Sequence, residues 1–221
     1  MIPWVQLDAA KVPGGGELRL KRRGAEFSIM LGTNELMNSR LSGSEEALAE
    51  LACARIGGRS RVRMLVGGLG MGFTLRAALA RLAPDATVVV VELVPAVIAW
   101  ARGPMAEVFA NSLDDPRVEI READVADVIR AAVGEYDAIL LDVDNGPQGL
   151  SRSANDRLYG MAGLASAHAA LKPGGVLGVW SAHPDGSFAA RLRKSGFRVD
   201  EVNTRARGKR GARHVVWMAA R

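Results

Sequence analysis

The sequence predicts an α/β fold: a mostly parallel sheet with helices on both faces, closed by an antiparallel hairpin and preceded by a small β-rich appendage. Three observations carry this. Strand-like and helix-like patterns alternate between residues 62 and 195. A glycine cluster, Gly68-x-Gly70-x-Gly72, falls where an apolar strand gives way to a helix, the context in which a bare backbone approaches a nucleotide. Near the C-terminus the runs FRVDEVNTR and ARHVVWMAA, joined by RGKRG, form a hairpin and break the alternation. Together they describe a Rossmann-like nucleotide-binding sheet, and the closing hairpin is characteristic of its methyltransferase variant.

Residues 17–40 alternate polar and apolar, with Leu18, Leu20, Phe27, Ile29 and Leu31 on one side. That predicts small antiparallel strands turning near Gly24 and near Gly32-Thr33-Asn34. Ser42-Gly43-Ser44-Glu45 has capping-box spacing and starts a helix carrying Leu48, Leu51 and Ile56, which Gly57-Gly58 stops. Strands are expected at 62–66, 87–92, 118–122, 137–142 and 176–181. Helices are expected at 73–83, 95–102, 125–133, 155–171 and 186–195, the fourth ending at Lys172-Pro173-Gly174-Gly175. With the hairpin this makes a seven-stranded sheet. The expected division is an appendage over 1–41 and a nucleoside-binding domain over 42–221.

A chain of 221 residues, 48% hydrophobic and 24% charged, buries a sizeable core. The single Cys53 excludes an internal disulfide framework, suits a reducing cytoplasm and sits in a helical pattern as a packing residue. The N-terminal MIPWVQLDAAKVPGGG lacks the apolar core of a signal peptide. The longest apolar run, 86–100, contains Glu92 and Pro95 and is too short to span a bilayer. A cytoplasmic protein without a membrane partner is expected. The net charge of +5 and pI near 9.9 raise the question of nucleic acid. The clusters Lys21-Arg22-Arg23 and Arg205 to Arg213 fall at turns without interleaved aromatics, so solvated surface is the expectation and a nucleic-acid partner is not. No Cys/His cluster suggests a metal.

In open α/β sheets ligands bind beyond the carboxyl ends of the strands. Glu92, Asp124, Asp142 and Asp144 all fall at such ends. Glu92 lies twenty residues beyond Gly72 and follows four valines, so its burial must be offset by hydrogen bonds. Two ribose hydroxyls would supply them; capping the helix at Pro95 is the alternative. Asp124 could accept from an adenine amino group or cap the next helix. Asp142 ends AILLD beside the glycine loop, over the reacting end of a bound nucleoside, and Asp144 continues the same loop. Gly68, Leu69, Gly70, Gly72, Leu93 and Val125 complete the expected nucleoside site. Trp100 and Trp217 are expected in the core or at an interface, His168 on a helix surface, and His183 at a strand end, either within reach of ligand or in a plain loop role.

These residues resemble the spermidine synthase (polyamine aminopropyltransferase) family, which is built on the methyltransferase fold, and the resemblance runs over nearly the whole chain. GGLGMGFTLRA is similar to that family's glycine-rich motif, and VVVVELVPAVIAWAR to its ribose-binding strand and helix. DDPRVEIREADV is similar to its strand leading to the adenine-contacting Asp, YDAILLDVDNGP to its Tyr-Asp-x-Ile-x-x-Asp-Ser-x-Asp-Pro motif, and LKPGG to the turn that follows. LGTNELMNSRLSGSEEALAE falls where members carry a substrate-covering strand and first helix. The resemblance implies decarboxylated S-adenosylmethionine as donor, with ribose on Glu92, adenine on Asp124, and Asp142 as acid/base partner of the attacking amine. It also implies a small-molecule amine as acceptor, polyamine biosynthesis as the setting, Asn38 on the acceptor side, and a homodimer; Tyr159, in NDRLYG, is expected either to line the acceptor side or to pack in the interior. The chain departs from the family at identifiable places. The Asp of Gly-Gly-Gly-Asp-Gly-Gly is Gly70 or Met71 here, and Tyr-His-Glu is replaced by Ser44-Glu45-Glu46-Ala47. Asn38 is the counterpart of a Gln, and the second Asp of the Asp-Ser-x-Asp motif is Asn145 or has moved to Asp144.

An amine must attack unprotonated although a free alkylammonium has a pKa of about 10. A carboxylate at Asp142 supplies the base, and an acidic mouth on an otherwise basic protein would draw the cation in. The first rival is a methyltransferase using S-adenosylmethionine itself, whose carboxylate would have to rest on backbone amides within 69–74, because no Lys or Arg lies in 65–75. The second is a catalytically silent nucleoside-binding protein.

Overall fold

The computed structural model describes residues 2–13, 15–143, 146–147, 157–207 and 210–221. Its first four strands, β1 (Val5–Lys11), β2 (Glu17–Arg23), β3 (Glu26–Leu31) and β4 (Asn34–Asn38), form an antiparallel sheet in sequence order. The larger sheet contains β5 (Arg63–Gly67), β6 (Thr87–Glu92), β7 (Val118–Glu122), β8 (Tyr136–Leu141), β9 (Leu171–Ser181), β10 (Arg198–Arg207) and β11 (Arg210–Ala220). Its order is β10-β11-β9-β8-β5-β6-β7. Strands β5 to β9 run parallel to their neighbours within that group, while β11 is antiparallel to both β9 and β10. The chain winds outward from β5 through β6 and β7, then returns to the other side at β8. The strand order reverses between β5 and β8, and crevices form at such switch points.

Alternation along β6 shows why the central strands are apolar throughout. Val88 and Val90 enter the core on one face with Leu48, Leu75, Trp100 and Leu140. Val89 and Val91 enter the core on the other with Leu65, Ile139, Phe188 and Trp217. Both faces are covered, so no position is left for a polar side chain until the strand ends at Glu92. The helices are α1 (Gly43–Arg55), α2 (Phe73–Leu79), α3 (Pro95–Arg102), α4 (Ala106–Phe109), α5 (Val125–Ala131), α6 (Met161–Ala170) and α7 (Gly186–Lys194), with a 3₁₀ turn at Ser112–Asp114. Leu18, Leu20, Phe27 and Ile29 of the small sheet share the first core. Asp8 on β1 accepts from the Trp100 indole at 2.7 Å, which fastens that sheet to α3.

The architecture follows the sequence expectation, with differences that have physical causes. Strand β1 was not expected, because every residue of VQLDAAK except Ala10 is exposed and it carries no apolar alternation. Helix α2 stops at Leu79 rather than 83, and α4 with its 3₁₀ turn is short and irregular. Strand β9 begins at Leu171, so Lys172 to Gly175 form a bulge within the strand rather than a turn before it. The register passes from Tyr136↔Leu171 to Ala138↔Val176, with Gly174 at φ +69. The capping box at α1 does not form: the Ser42 side chain makes no cap bond, and Glu45 turns elsewhere. Among the described residues no helix is long and apolar enough to cross a membrane.

Candidate active site

The carboxyl ends of β5, β6, β7 and β8 meet at the glycine loop. Gly68 donates to the Val91 carbonyl at 2.8 Å, and Asp142 to the Gly67 carbonyl at 3.0 Å, so the loop is stitched between β6 and β8. Two glycines here have packing reasons beyond approach to a ligand. A Cβ on Gly68 (φ +88) would lie 2.5 Å from the Asp142 carbonyl oxygen, and one on Gly72 (φ +75) would lie 2.4 Å from the Phe109 ring. Both positions combine left-handed backbone with no space for a side chain.

Glu92 is buried at the tip of β6. Its oxygens accept from the amides of Leu69 at 2.9 Å and Val94 at 2.8 Å. Sequence reasoning offered ribose hydroxyls or the start of the helix at Pro95 as its compensation; within the folded chain two amides supply it, one from the loop and one at the start of α3. A carboxylate offers about four lone-pair sites, which leaves room for further donors. Burial raises the Glu92 pKa from its ordinary value, against the opposing amides of Val94, Leu69, Leu93 and Gly70.

Glu92 lines a cavity of about 190 Å³ together with Gly68, Gly70, Leu93, Asp124, Val125 and Asp142. The small sheet roofs it with Val12, Leu18, Leu31, Leu36 and Met37. The walls are mostly apolar, with Glu92, Asp124 and Asp142 as the acids among them, which suits a flat heterocycle with a sugar. Asp124 both faces this cavity and caps α5, accepting from the Ala126 amide at 2.8 Å, while its other oxygen pairs with Arg157 at 3.1 Å.

A smaller cavity of about 60 Å³ adjoins it, and Leu36, Met37, Gly70 and Asp142 line both. Its own walls include Asn38, Glu45, Leu69, Gly72 and Trp180. Asp142 therefore stands at the junction of the two. Its Oδ2 accepts from the Thr74 hydroxyl at 2.7 Å. Burial pushes its pKa up to about 7, the Glu45 charge pushes the same way, and the Thr74 hydrogen bond opposes them. Glu45 is raised as well, chiefly by burial, with the Ser44 hydroxyl opposing. The Trp180 indole N–H is buried without a hydrogen-bond partner. Among the described residues lining the two cavities, every ionisable one is an acid: Glu45, Glu92, Asp124 and Asp142.

The structure thus gathers Gly68, Leu69, Gly70, Gly72, Leu93, Val125, Asn38 and all the strand-end acids it describes around one crevice. The Asn38 side chain, expected on the acceptor side, is occupied by Glu35 at 3.1 Å and the Arg40 amide at 3.0 Å. Tyr159 lies apart: it is buried, packs edge-on against Phe188 at 5.6 Å, and lines neither cavity. Asp144 and Asn145 fall outside the described residues. Two polar lining residues of the smaller cavity, Glu45 and Trp180, were given no site role from the sequence, and neither were apolar ones such as Leu36 and Met37. Glu45 matched a capping box and so carried a local explanation already, and Trp180 gave no signal beyond its place near a strand end.

The chain is thus an open α/β sheet with an acidic, apolar-walled crevice at its switch point. The spermine/spermidine synthase domain matches residues 43–185, and the chain belongs to that family. It is 36% identical over 100 residues to the polyamine aminopropyltransferases of Mycobacterium tuberculosis and Mycobacterium bovis, a stretch that is 44% of this chain and 18% of those proteins. The chain therefore matches under a fifth of the length of these curated relatives. Its fold is similar to a spermidine synthase in complex with the transition-state analogue AdoDATO, with a TM-score of 0.79 at 19% identity, covering 97% of this chain and 73% of that one. The spermidine synthase of Thermotoga maritima gives 0.77 at 19% identity, covering 97% and 72%. A methyltransferase from Burkholderia thailandensis gives 0.58 at 20% identity, covering 81% and 79%.

Proposed function

We propose that the protein transfers an aminopropyl group from decarboxylated S-adenosylmethionine to a small amine, a step of polyamine biosynthesis. The observation that carries this is Asp142, a carboxylate tuned to about 7 at the junction of an apolar nucleoside-sized cavity and a small acidic one. The nucleoside lies in the larger cavity, with ribose hydroxyls on the remaining lone pairs of Glu92 and the base beside Asp124 and Val125. The acceptor enters the smaller cavity as a cation drawn by Glu45 and Asp142. Asp142 takes one amine proton, the freed lone pair attacks the carbon attached to sulfur, and the carbon–sulfur electrons return to sulfur as a neutral thioether. Positioned acid–base catalysis of this kind contributes about 10²–10⁴-fold. Alignment of the two reactants supplies about 7–11 kcal/mol more.

A methyltransferase is the second reading, favoured by the small acceptor cavity and by Gly70 or Met71 standing where the family carries an Asp. Against it, three of the amides within 69–74 that would hold the donor carboxylate are engaged. Leu69 donates to Glu92, and Gly72 donates to the Leu69 carbonyl at 2.8 Å. Gly70 also points its amide at Glu92. An added carboxylate would meet four acids and no cation among the described lining residues. Incubation with each donor and a panel of mono- and diamines, followed by mass spectrometry, separates the readings. Release of methylthioadenosine with an amine heavier by one aminopropyl group is expected. S-adenosylhomocysteine with a methylated product would establish the rival, and tight nucleoside binding without any product would leave a silent binding protein.

A further inference from the structure

The smaller cavity has a hydrogen-bonded exit that the reaction above leaves unused. Glu45 Oε2 accepts from Ser44 Oγ at 2.6 Å, and Ser44 Oγ lies 2.8 Å from Nδ1 of His214. Ser44 is fully buried, while His214 on β11 is half-buried, with its ring edge-on to Trp180 at 4.9 Å. A serine hydroxyl has a single hydrogen to give. With Glu45 ionised, that hydrogen goes to the carboxylate, so the serine oxygen accepts from Nδ1–H and Nε2 is left bare. With Glu45 protonated the order reverses: the carboxyl donates to Ser44, Ser44 donates to Nδ1, and Nε2 carries the hydrogen. The two orders differ by one proton, which enters or leaves at the far side of the imidazole.

We propose that Ser44 and His214 form a proton relay that drains the Glu45–Asp142 carboxylate pair to solvent after each transfer to an amine. The proposal rests on the function given above. In each cycle an ammonium proton of the acceptor passes to Asp142, and the freed nitrogen lone pair then forms the nitrogen–carbon bond as the carbon–sulfur bond breaks towards sulfur. Asp142 must lose that proton before it can act again. It passes to Glu45 in the same cavity, Glu45 hands a proton to Ser44, Ser44 hands its own to Nδ1, and the Nε2 proton leaves to water. Rotation of the hydroxyl and the imidazole then resets the chain, and nothing is oxidised or reduced.

The surroundings suit this passage. Burial, and then the charge of His183, lower the His214 pKa, which keeps the ring neutral between transfers. From α2, the Thr74 hydroxyl reaches the Glu45 carbonyl at 3.4 Å; from β10, the Thr204 hydroxyl donates to the His214 carbonyl at 3.4 Å. The other charged groups facing the chain are Glu46 beside Glu45 and Asp142 across the cavity. Ser44 and His214 touch neither cavity, so they are positioning residues that act through Glu45.

Two measurements decide it. The first needs no turnover: ¹⁵N titration of the His214 imidazole, assigned by its loss in His214→Gln. The wild type is expected to show the Nδ1–H tautomer at pH 8 and a second inflection that follows Glu45, and Glu45→Gln should erase that inflection. An Nε2–H ring at pH 8, or a titration unchanged by Glu45→Gln, overturns the relay whether or not the protein transfers aminopropyl groups. The second is rapid mixing of His214→Gln with donor and amine. The first turnover should keep its rate, later turnovers should slow by at least about tenfold, and imidazole buffer should restore them. Equal loss in first and later turnovers, or no loss, contradicts a relay. A wild type inactive with both donors instead removes the proposed function and leaves the titration to decide.

Discussion

Replacing Thr74 by Val removes the hydroxyl's bond to Asp142 and its 3.4 Å contact with the Glu45 carbonyl and little else, because the two side chains have nearly the same shape and Thr74 is buried at 3% exposure. That hydroxyl donates to Asp142 Oδ2 at 2.7 Å and is the group that holds the Asp142 pKa down. A hydrogen bond to a charged group is worth about 1.5–3 kcal/mol, and one pKa unit is about 1.36 kcal/mol. Asp142 should therefore rise by about 1–2 units above its value of about 7. Asp142 acts as a base, so only its ionised fraction works, and kcat/KM for the donor falls with decreasing pH below this pKa. Thr74→Val should move that acidic limb up by the same interval and cut activity at pH 7 by about 5- to 50-fold, with recovery in alkaline buffer. Thr74→Ser should leave the limb in place, and Glu45→Gln should move it down, since the Glu45 charge raises Asp142. The assay is thioether release across pH at saturating acceptor. A limb that stays put in Thr74→Val, or moves to lower pH, refutes the assignment of Asp142 as the base.

Two further predictions concern stability. The folded pKa of Asp142, about 7, lies above the 3.8 of the free side chain, so the folded protein holds this proton more tightly than the unfolded one. The contribution is complete below pH 3.8 and is lost as pH rises to about 7, a decline of at most about 4 kcal/mol that partial exposure to cavity water reduces. Asp142→Asn escapes it, so its melting temperature should gain on the wild type between pH 4 and pH 8 by about 2–4 °C per kcal/mol; parallel curves would contradict the shift. Gly72→Ala places a Cβ 2.4 Å from the Phe109 ring at φ +75. It should destabilise by about 2–4 kcal/mol in urea denaturation, the sum of left-handed strain and overpacking, and a wild-type midpoint would be inconsistent with that packing.

The parts of this protein that follow from strong periodicity were legible in its sequence. Four consecutive valines could only be a strand covered on both faces, and the acid closing them had to face a crevice. Asp142 was legible for the same reason at the end of AILLD. What was hidden depends on contacts between distant segments. The apolar roof comes from β1 to β4 folding over the β6 end, and nothing in VQLDAAK announces a strand. Glu45 matched a capping box, a local pattern that the fold overrides because α1 presents that side chain to the cavity beside Asp142. The Ser44–His214 contact joins positions 170 residues apart, brought together when β11 inserts beside β9. Glu92 shows the same limit in another form: the need for hydrogen bonds was readable from four valines, and the helix start at Pro95 was one source weighed, but the Leu69 amide across the loop was not.

Isothermal calorimetry with methylthioadenosine and S-adenosylhomocysteine puts the central claim to its most direct test. S-adenosylhomocysteine carries a zwitterionic amino-acid tail where methylthioadenosine carries a methyl group, so their ratio reports which of the two product nucleosides the crevice accommodates. Methylthioadenosine should bind at least about tenfold more tightly, a difference of about 1.4 kcal/mol. Tighter binding of S-adenosylhomocysteine would contradict an aminopropyl donor and place this crevice among methyltransferase sites.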